Sequence, residues 1–211
     1  APAPGGKVIR SFTSSGNFSY TSAAGQTIDV VIVGGGGGGG DGGGGGGGGG
    51  GVVYYPNLPL SSYSGSTTIP ITVGSGGSGY GNGTGNYGGQ AGGTSKFASP
   101  SFPSIYLMAL GGGGGLSDSR NSRNDNPDTT SSPAHGRGGS GGGQHECTSG
   151  MVTDTNGVQT SDPNIPSGSR TYGYGNPGGR ARPDSPDGSN CPLKGGGGGG
   201  AGSGRPGNDA P

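Results

Sequence analysis

The sequence predicts a mostly irregular and β fold, in which short N-terminal β-strands lead into a bundle of polyglycine-II helices with long surface loops and no α-helix. Three observations predict this class. Glycine contributes 61 and proline 17 of the 211 residues, whereas apolar residues make up only 24%. The glycines stand in solid runs rather than at every third position, which excludes collagen. No segment has the apolar period of an amphipathic helix.

Short segments that are rich in β-branched and aromatic residues and bounded by Gly or Ser are predicted as strands: 7–12, 17–20, 27–33, 52–55, 67–73 and 104–110. Pro70 cannot donate a main-chain hydrogen bond, so the fifth of these is expected at a sheet edge or as an irregular strand. The lead-ins TIDVVIV, ITV, SIYLMAL and NCPLK each continue into a glycine run. Such a chain crosses one bundle repeatedly, alternating glycine rods with surface loops.

The glycine runs themselves are predicted to form the core. Fixing each backbone residue costs about 1–2 kcal/mol, and the few apolar side chains cannot offset that cost. A polyglycine-II helix has no internal hydrogen bonds, so its peptide groups point outward and must bond to neighbouring rods. This geometry is expected for Gly34–Gly40, Gly42–Gly51, Gly111–Gly115 and Gly195–Gly200. As one rod, residues 34–51 would extend about 56 Å, so the run is expected to fold back near Asp41.

These elements predict an N-terminal β segment, 1–33, followed by the polyglycine-II bundle and its surface loops, 34–211. The two parts are expected to form one continuous domain, 7–211. The N-terminal APAPGG has neither Met nor an apolar signal region. It is expected to be a processed or trimmed end, in keeping with secretion or cleavage.

The stretch DVVIVGGG, residues 29–36, begins like a dinucleotide-binding motif, but the rest of that motif is missing. The fingerprint requires a helix directly after the glycines and an acidic residue about 20 positions further on. Here glycines continue to Gly51, and each costs about 1 kcal/mol relative to alanine in a helix. The following VVYYPNLPLSS contains no acid. No nucleotide or other cofactor is expected.

Charge and motif content exclude several other classes. The 11 basic residues balance the 11 acidic ones without a basic stripe, so nucleic-acid binding is not expected. No apolar run reaches 18 residues, so no membrane insertion is expected. The sequence contains no nucleophile elbow and no P-loop, which predicts a protein that is not an enzyme. No metal is expected, because no known zinc spacing fits the side chains of His135, His145, Cys147 and Cys191.

Two kinds of covalent modification are predicted. Cys147 and Cys191 are expected to form a disulfide that closes a loop of about 45 residues and contributes about 4 kcal/mol, with two free thiols as the alternative. Asn17 and Asn82 stand in Asn-x-Ser/Thr sequons. They are glycosylation candidates if a eukaryotic secretory pathway makes the chain.

One order of segments is specific enough to suggest a family. FTSSGNFSYTSAAGQTIDVVIV precedes the first glycine run, ITVGSGG and GGTSKF follow, an apolar strand leads into GGGGG, and the chain closes on GGGGGGAGSGRPGNDAP. This order resembles, over nearly the whole chain, the glycine-rich domain of phage and other viral tail-fibre proteins, as in the distal adhesins of T-even-type long tail fibres. The resemblance implies a polyglycine-II sandwich whose loops contact the host surface. The family usually continues into one more apolar strand, which is expected to have been trimmed or to come from a neighbouring chain.

The resemblance implies a non-enzymatic, extracellular adhesion module, namely a receptor-binding domain of a viral tail fibre on the virion. Its partners would be a host cell-surface protein or glycan, together with the fibre shaft or copies of itself. The peptide groups of the rods are expected to be hydrogen-bonded to one another, so they cannot distinguish between partners. Specificity must therefore come from side chains in 116–135, 148–170 and 171–182. Arg supplies a rigid donor fork and Tyr a stacking surface. The predicted contact residues are therefore Arg120, Arg123, Arg170, Tyr172, Tyr174 and Arg180.

Other tyrosines and other functions are interpreted differently. Tyr54, Tyr55 and Tyr106 are expected to pack over the edges of the glycine bundle with their hydroxyls in water. The chain could instead be a structural subunit of an extracellular filament with strand donation between subunits. It could also bind ice, as springtail antifreeze proteins with polyglycine-II bundles do, although the irregular loops argue against that.

Overall fold

The computed structural model describes residues 8–21, 25–40, 44–60, 65–79, 88–116, 139–143, 172–175 and 178. Within these ranges no residue is helical, which confirms the predicted class. The strands in these ranges are β1 (Gly16–Thr21), β2 (Thr27–Val33), β3 (Val52–Pro59), β4 (Ser66–Thr72), β5 (Ser95–Phe97), β6 (Leu107–Ala109) and β7 (Tyr172–Tyr174).

The strands form two antiparallel sheets that pack face to face. One sheet has the order β1-β4-β5-β6 and the other the order β2-β3-β7. Apolar side chains from both sheets form one cluster between them, in which Leu58, Ile69 and Leu107 are at most 1% exposed. Phe18 and Tyr20 cover one side of this cluster with stacked rings, 5.7 Å between centroids.

Two strand predictions are wrong, and both errors have physical causes. A strand was expected over 7–12, but in the described part, 8–12, only Val8 makes an isolated bridge, and all five residues are exposed. Pro70 was expected to place its strand at a sheet edge or to make it irregular, whereas β4 lies between β1 and β5 and pairs with β1 without a register shift. The interior position is tolerated because β5 pairs only with Ile71 and Thr72, and Pro70 itself accepts a hydrogen bond from the Ala98 amide through its carbonyl.

A bulge shapes the end of the β2–β3 pair. The register shifts between Ile28 and Val30, which leaves Asp29 outside the regular ladder. The Asp29 carboxylate accepts a hydrogen bond of 2.8 Å from the Asn57 amide. Asn57 has φ 55°, in the left-handed region that Asn tolerates better than most residues. The carboxylate therefore fixes the local twist where the two strands lose their regular pairing.

Five of the six described glycine segments continue from a strand or lead into one. The described segments, called rods here, are rod A (34–40), rod B (44–51), rod C (74–79), rod D (88–93), rod E (110–116) and rod F (139–143). Rod A follows β2, rod B precedes β3, rod C follows β4, rod D precedes β5, and rod E follows β6. The two-layer sandwich therefore passes directly from sheet into glycine bundle.

The hydrogen bonds of rod A repeat every third residue. One set of amides donates to rod B over 2.8–3.0 Å: Gly34 to Gly51, Gly37 to Gly48 and Gly40 to Gly45. The next set donates to rod D: Gly35 to Gly93 and Gly38 to Gln90. The third set, Gly36 and Gly39, has no amide partner among the described residues, and the Gly36 carbonyl accepts from Gly77 of rod C. A threefold repeat with bonds only to neighbours is the polyglycine-II pattern.

Rod E lies at the centre of the bundle. It bonds to rods A, B, D and F, and all of residues 111–116 are buried. The bonds arrange rods C, A and B in one row and rods D, E and F in a second. Rods A, C, E and F run in one direction and rods B and D in the other. The bonded residue numbers rise together in a parallel pair, such as rods A and E, and in opposite directions in an antiparallel pair, such as rods A and B.

The expected fold-back of the long glycine run is confirmed, because rods A and B are antiparallel neighbours joined from Gly34–Gly51 to Gly40–Gly45. Asp41 lies outside the described residues. So does the Gly195–Gly200 segment, for which polyglycine-II geometry stays a prediction. The other three predicted runs, so far as they are described, bond between segments rather than forming a helix or a β-ladder.

Candidate recognition surface

The outer face of the β2-β3-β7 sheet carries apolar side chains outside the core. Along β2, exposed and buried residues alternate, so that Val30 and Ile32 enter the core whereas Val31 and Val33 are 64% and 56% exposed. The register pairs Val31 with Tyr54 and Val33 with Val52 on β3. Tyr54 and Val52 are half-buried.

Strand β7 extends both of these rows. Its register partners on β3 are Tyr54 for Tyr172 and Val52 for Tyr174. Two cross-strand rows result, Val31–Tyr54–Tyr172 and Val33–Val52–Tyr174. Opposed residues in an antiparallel pair have Cα atoms about 4.5–5.5 Å apart, so the register places the members of each row next to one another along the sheet. These two rows are called the tyrosine–valine surface below.

The structure thus brings two predicted contact residues, Tyr172 and Tyr174, beside a tyrosine that was expected only to pack. Tyr55, the neighbour of Tyr54, packs against the apolar cluster between the sheets, whereas the prediction placed it over an edge of the glycine bundle. Tyr106 is half-buried and its hydroxyl donates to the Met108 sulfur over 3.0 Å. The division between Tyr54 and Tyr55 follows from strand alternation, which sends successive side chains to opposite faces.

The remaining predicted site residues are only partly accounted for. Asn17 lies exposed on β1, opposite Pro70 of β4, and its glycosylation stays a prediction. Outside the described residues lie Arg120, Arg123, Arg170, Arg180, Asn82, Cys147 and Cys191. Their contacts, and the disulfide, therefore stay predictions.

Sequence reasoning missed Val31 and Val33 as surface residues. The segment DVVIV is apolar at four successive positions, so its alternation between core and surface is invisible in the pattern. The packing of the two sheets shows which valines face outward, because one face of β2 is buried against the opposite sheet.

The part of the chain that the structure describes contains no group of three or more His, Cys, Asp or Glu side chains placed to hold a metal ion. Within the same ranges, no helix is long and apolar enough to cross a membrane.

Comparison with known proteins identifies the family. A family model described as a glycine-rich domain matches residues 13–211, which include every described strand and rod. The chain therefore belongs to this family of glycine-rich domains. No curated protein and no solved structure matches it.

Proposed function

We propose that this glycine-rich domain is a non-enzymatic adhesion module, the receptor-binding domain of a viral tail fibre, which acts outside the cell on the virion. The observation that carries the proposal is the tyrosine–valine surface at the sheet end of a bundle held by peptide hydrogen bonds. Its partner would be a host cell-surface protein or glycan.

The chemistry of this surface suits such partners. Tyrosine presents a rigid ring with a polar tip and loses little conformational entropy on binding, and aromatic residues are enriched where proteins recognise other molecules. The exposed valines beside Tyr54 add apolar area, and binding of a partner would be favoured by the removal of this area from water. Rod A follows β2 and rod B precedes β3, and hydrogen bonds hold both rods to their neighbours, so these two strands are positioned before a partner arrives.

The polar segments supply the remaining expected contacts. Arg120, Arg123, Arg170 and Arg180 would donate to carboxylate, phosphate or sugar oxygens around the tyrosines. The proposal requires these segments to lie on the same side of the bundle as β7. Burial of the segments between copies of the chain would instead favour the filament subunit.

Replacing both Tyr172 and Tyr174 with alanine is expected to abolish binding of the fluorescently labelled domain to intact cells of a bacterial panel. Tyr54→Ala should weaken the same binding, because Tyr54 shares a cross-strand row with Tyr172. The matched control is Tyr106→Ala, which removes a half-buried tyrosine next to β6 of the other sheet. Flow cytometry measures binding, and thermal unfolding checks that each variant is folded. Undiminished binding by a folded Tyr172/Tyr174 variant would contradict the proposal.

A further inference from the structure

The large hydrophobic side chains that stand exposed among the described residues fall into two groups. One is in the N-terminal segment, where Val8 is 73%, Ile9 63% and Phe12 37% exposed. The other is on β2, where Val31 is 64% and Val33 56% exposed. Scattered exposed apolar residues are ordinary, but these stand together in two short extended stretches.

The β2 stretch has the properties of an acceptor for another strand. In its sheet β2 pairs with β3 on one side, and no strand pairs with its other side among the described residues. The main-chain amides and carbonyls on the outer side of an edge strand can serve as a template for pairing with another chain. TIDVVIV contains neither lysine nor proline, two residues that commonly protect an edge. Its bulge and its one charged residue, Asp29, come before Val31 and Val33 and leave that part of the edge regular.

The N-terminal stretch has the properties of a donor. Residues 8–12 are exposed and belong to no strand, and Val8 makes an isolated bridge. The stretch is anchored just beyond its end, because the Ser15 hydroxyl accepts a hydrogen bond of 3.0 Å from the Val73 amide and β1 begins at Gly16. Its sequence, KVIRSF, contains two β-branched residues and two basic ones.

Among the described residues, the donor and the acceptor do not pair with each other. The N-terminal stretch leads into β1 at the edge of one sheet, whereas β2 belongs to the opposite sheet, and the valines of both stretches remain exposed. A second copy can satisfy both. The charges also match, because Lys7 and Arg10 are basic and Asp29 is the acidic residue of the acceptor strand.

We propose that residues 8–12 of one molecule pair with the free edge of β2 in a second molecule. Main-chain hydrogen bonds would extend the β2-β3-β7 sheet by one strand, and Val8, Ile9 or Phe12 would cover Val31 and Val33. The contact is heterologous, so a pair of molecules retains one unused acceptor on the first molecule and one unused donor on the second. Unless the rotation between molecules closes a ring, the result is a linear filament. The contact would cover Val31 and Val33 of the tyrosine–valine surface, whereas Tyr172 and Tyr174 lie across β3 from the edge that the contact uses.

The experiment uses two full-length variants, each defective in one partner of the contact. Ile9→Glu places a charge in the donor, and Val31→Glu places one on the acceptor. Sedimentation velocity over a concentration series should show growing oligomers for the unmodified chain and monomers for each variant alone. An equimolar mixture of the two variants should form a heterodimer and nothing larger, because one intact donor and one intact acceptor are present. Ser66→Glu, at an exposed position of β4, should leave assembly unchanged.

Three results would overturn the inference. The unmodified chain could stay monomeric at every concentration. The mixed variants could fail to form a heterodimer although circular dichroism shows both to be folded. Ile9→Glu could assemble as well as the unmodified chain while Val31→Glu does not, which would mean that β2 edges pair with each other. Should Val31→Glu fail to fold, Val33→Lys replaces it as the acceptor-defective variant in the same mixing test.

Discussion

Gly37→Ala is expected to lower the melting temperature by about 6–12 °C, corresponding to a loss of about 3 kcal/mol in a chain of this size. The Gly37 amide donates to Gly48 of rod B over 2.8 Å. A Cβ added at Gly37 would overlap the carbonyl group of Gly113 in the central rod. Gly48 and Gly113 meet Gly37 through main-chain atoms that are hydrogen-bonded within the bundle. These atoms cannot move aside as a flexible side chain would.

The control for this prediction is the preceding residue. A Cβ added at Gly36 would meet nothing nearer than the Gly48 carbonyl oxygen at 3.7 Å, an ordinary contact, and Gly36 is exposed. Gly36→Ala should therefore change the melting temperature little, or raise it slightly because alanine reduces the conformational freedom of the unfolded chain. Thermal unfolding by circular dichroism measures both variants. Equal effects at the two positions would mean that side-chain volume inside the bundle does not limit stability.

Ile69→Ala is expected to reduce the free energy of unfolding by about 2–5 kcal/mol, because the deletion leaves a cavity in a core that cannot fully collapse. Ile69 lies on β4 between the sheets and is 0% exposed. Urea unfolding measures the loss. The matched control is Thr68→Ala, one residue earlier on the opposite and exposed face, where only a hydroxyl contact of 3.1 Å to Ser19 is lost. A loss at Ile69 no larger than that at Thr68 would contradict a shared apolar core.

These two substitutions separate two sources of stability in one fold. Ile69 tests side chains packed between sheets, and Gly37 tests peptide groups packed between rods. The first is the usual core of a β-sandwich. In the second, the absence of a Cβ at the glycines lets backbones approach until amides and carbonyls of several rods bond to one another.

The glycine bundle could be predicted from the sequence because its formation depends only on main-chain hydrogen bonds. A run such as Gly34–Gly40 has no side chains to pack and must bond its peptide groups, and only a threefold helix lets it bond to several neighbours at once. The fold-back between rods A and B followed from length alone. Strands β2 and β4 were also predictable, since each combines β-branched residues with flanking turn residues.

The tertiary partners of short segments were not predictable. Strand β5 has three residues and is held in place by pairing with β4 on one side and β6 on the other. Strand β7, YGY, contains a glycine that weakens its own strand propensity, and its pairing with β3 fixes it. In residues 8–12 the local propensity for strand is high, but no described strand lies alongside to complete a ladder. Pairing, which depends on distant residues, decided each of these cases.

The candidate surface was only partly predicted, because it also depends on pairing between strands that are distant in the sequence. Tyr172 and Tyr174 were singled out by residue type and composition. The addition of Tyr54 and the two exposed valines required the register of β2, β3 and β7. Since neighbouring strands in this sheet are separated by long stretches of chain, no local pattern could reveal that register.

Hydrogen exchange resolved to single amides tests most directly whether peptide groups form the core. In rod A, slow exchange is expected for the amides that donate to rods B and D: Gly34, Gly35, Gly37, Gly38 and Gly40. Faster exchange is expected for Gly36 and Gly39, whose amides have no partner among the described residues. Protection should therefore fail at every third residue. Uniformly fast exchange along 34–40, as in a flexible coil, or an alternation with period two, as at a sheet edge, would contradict the account.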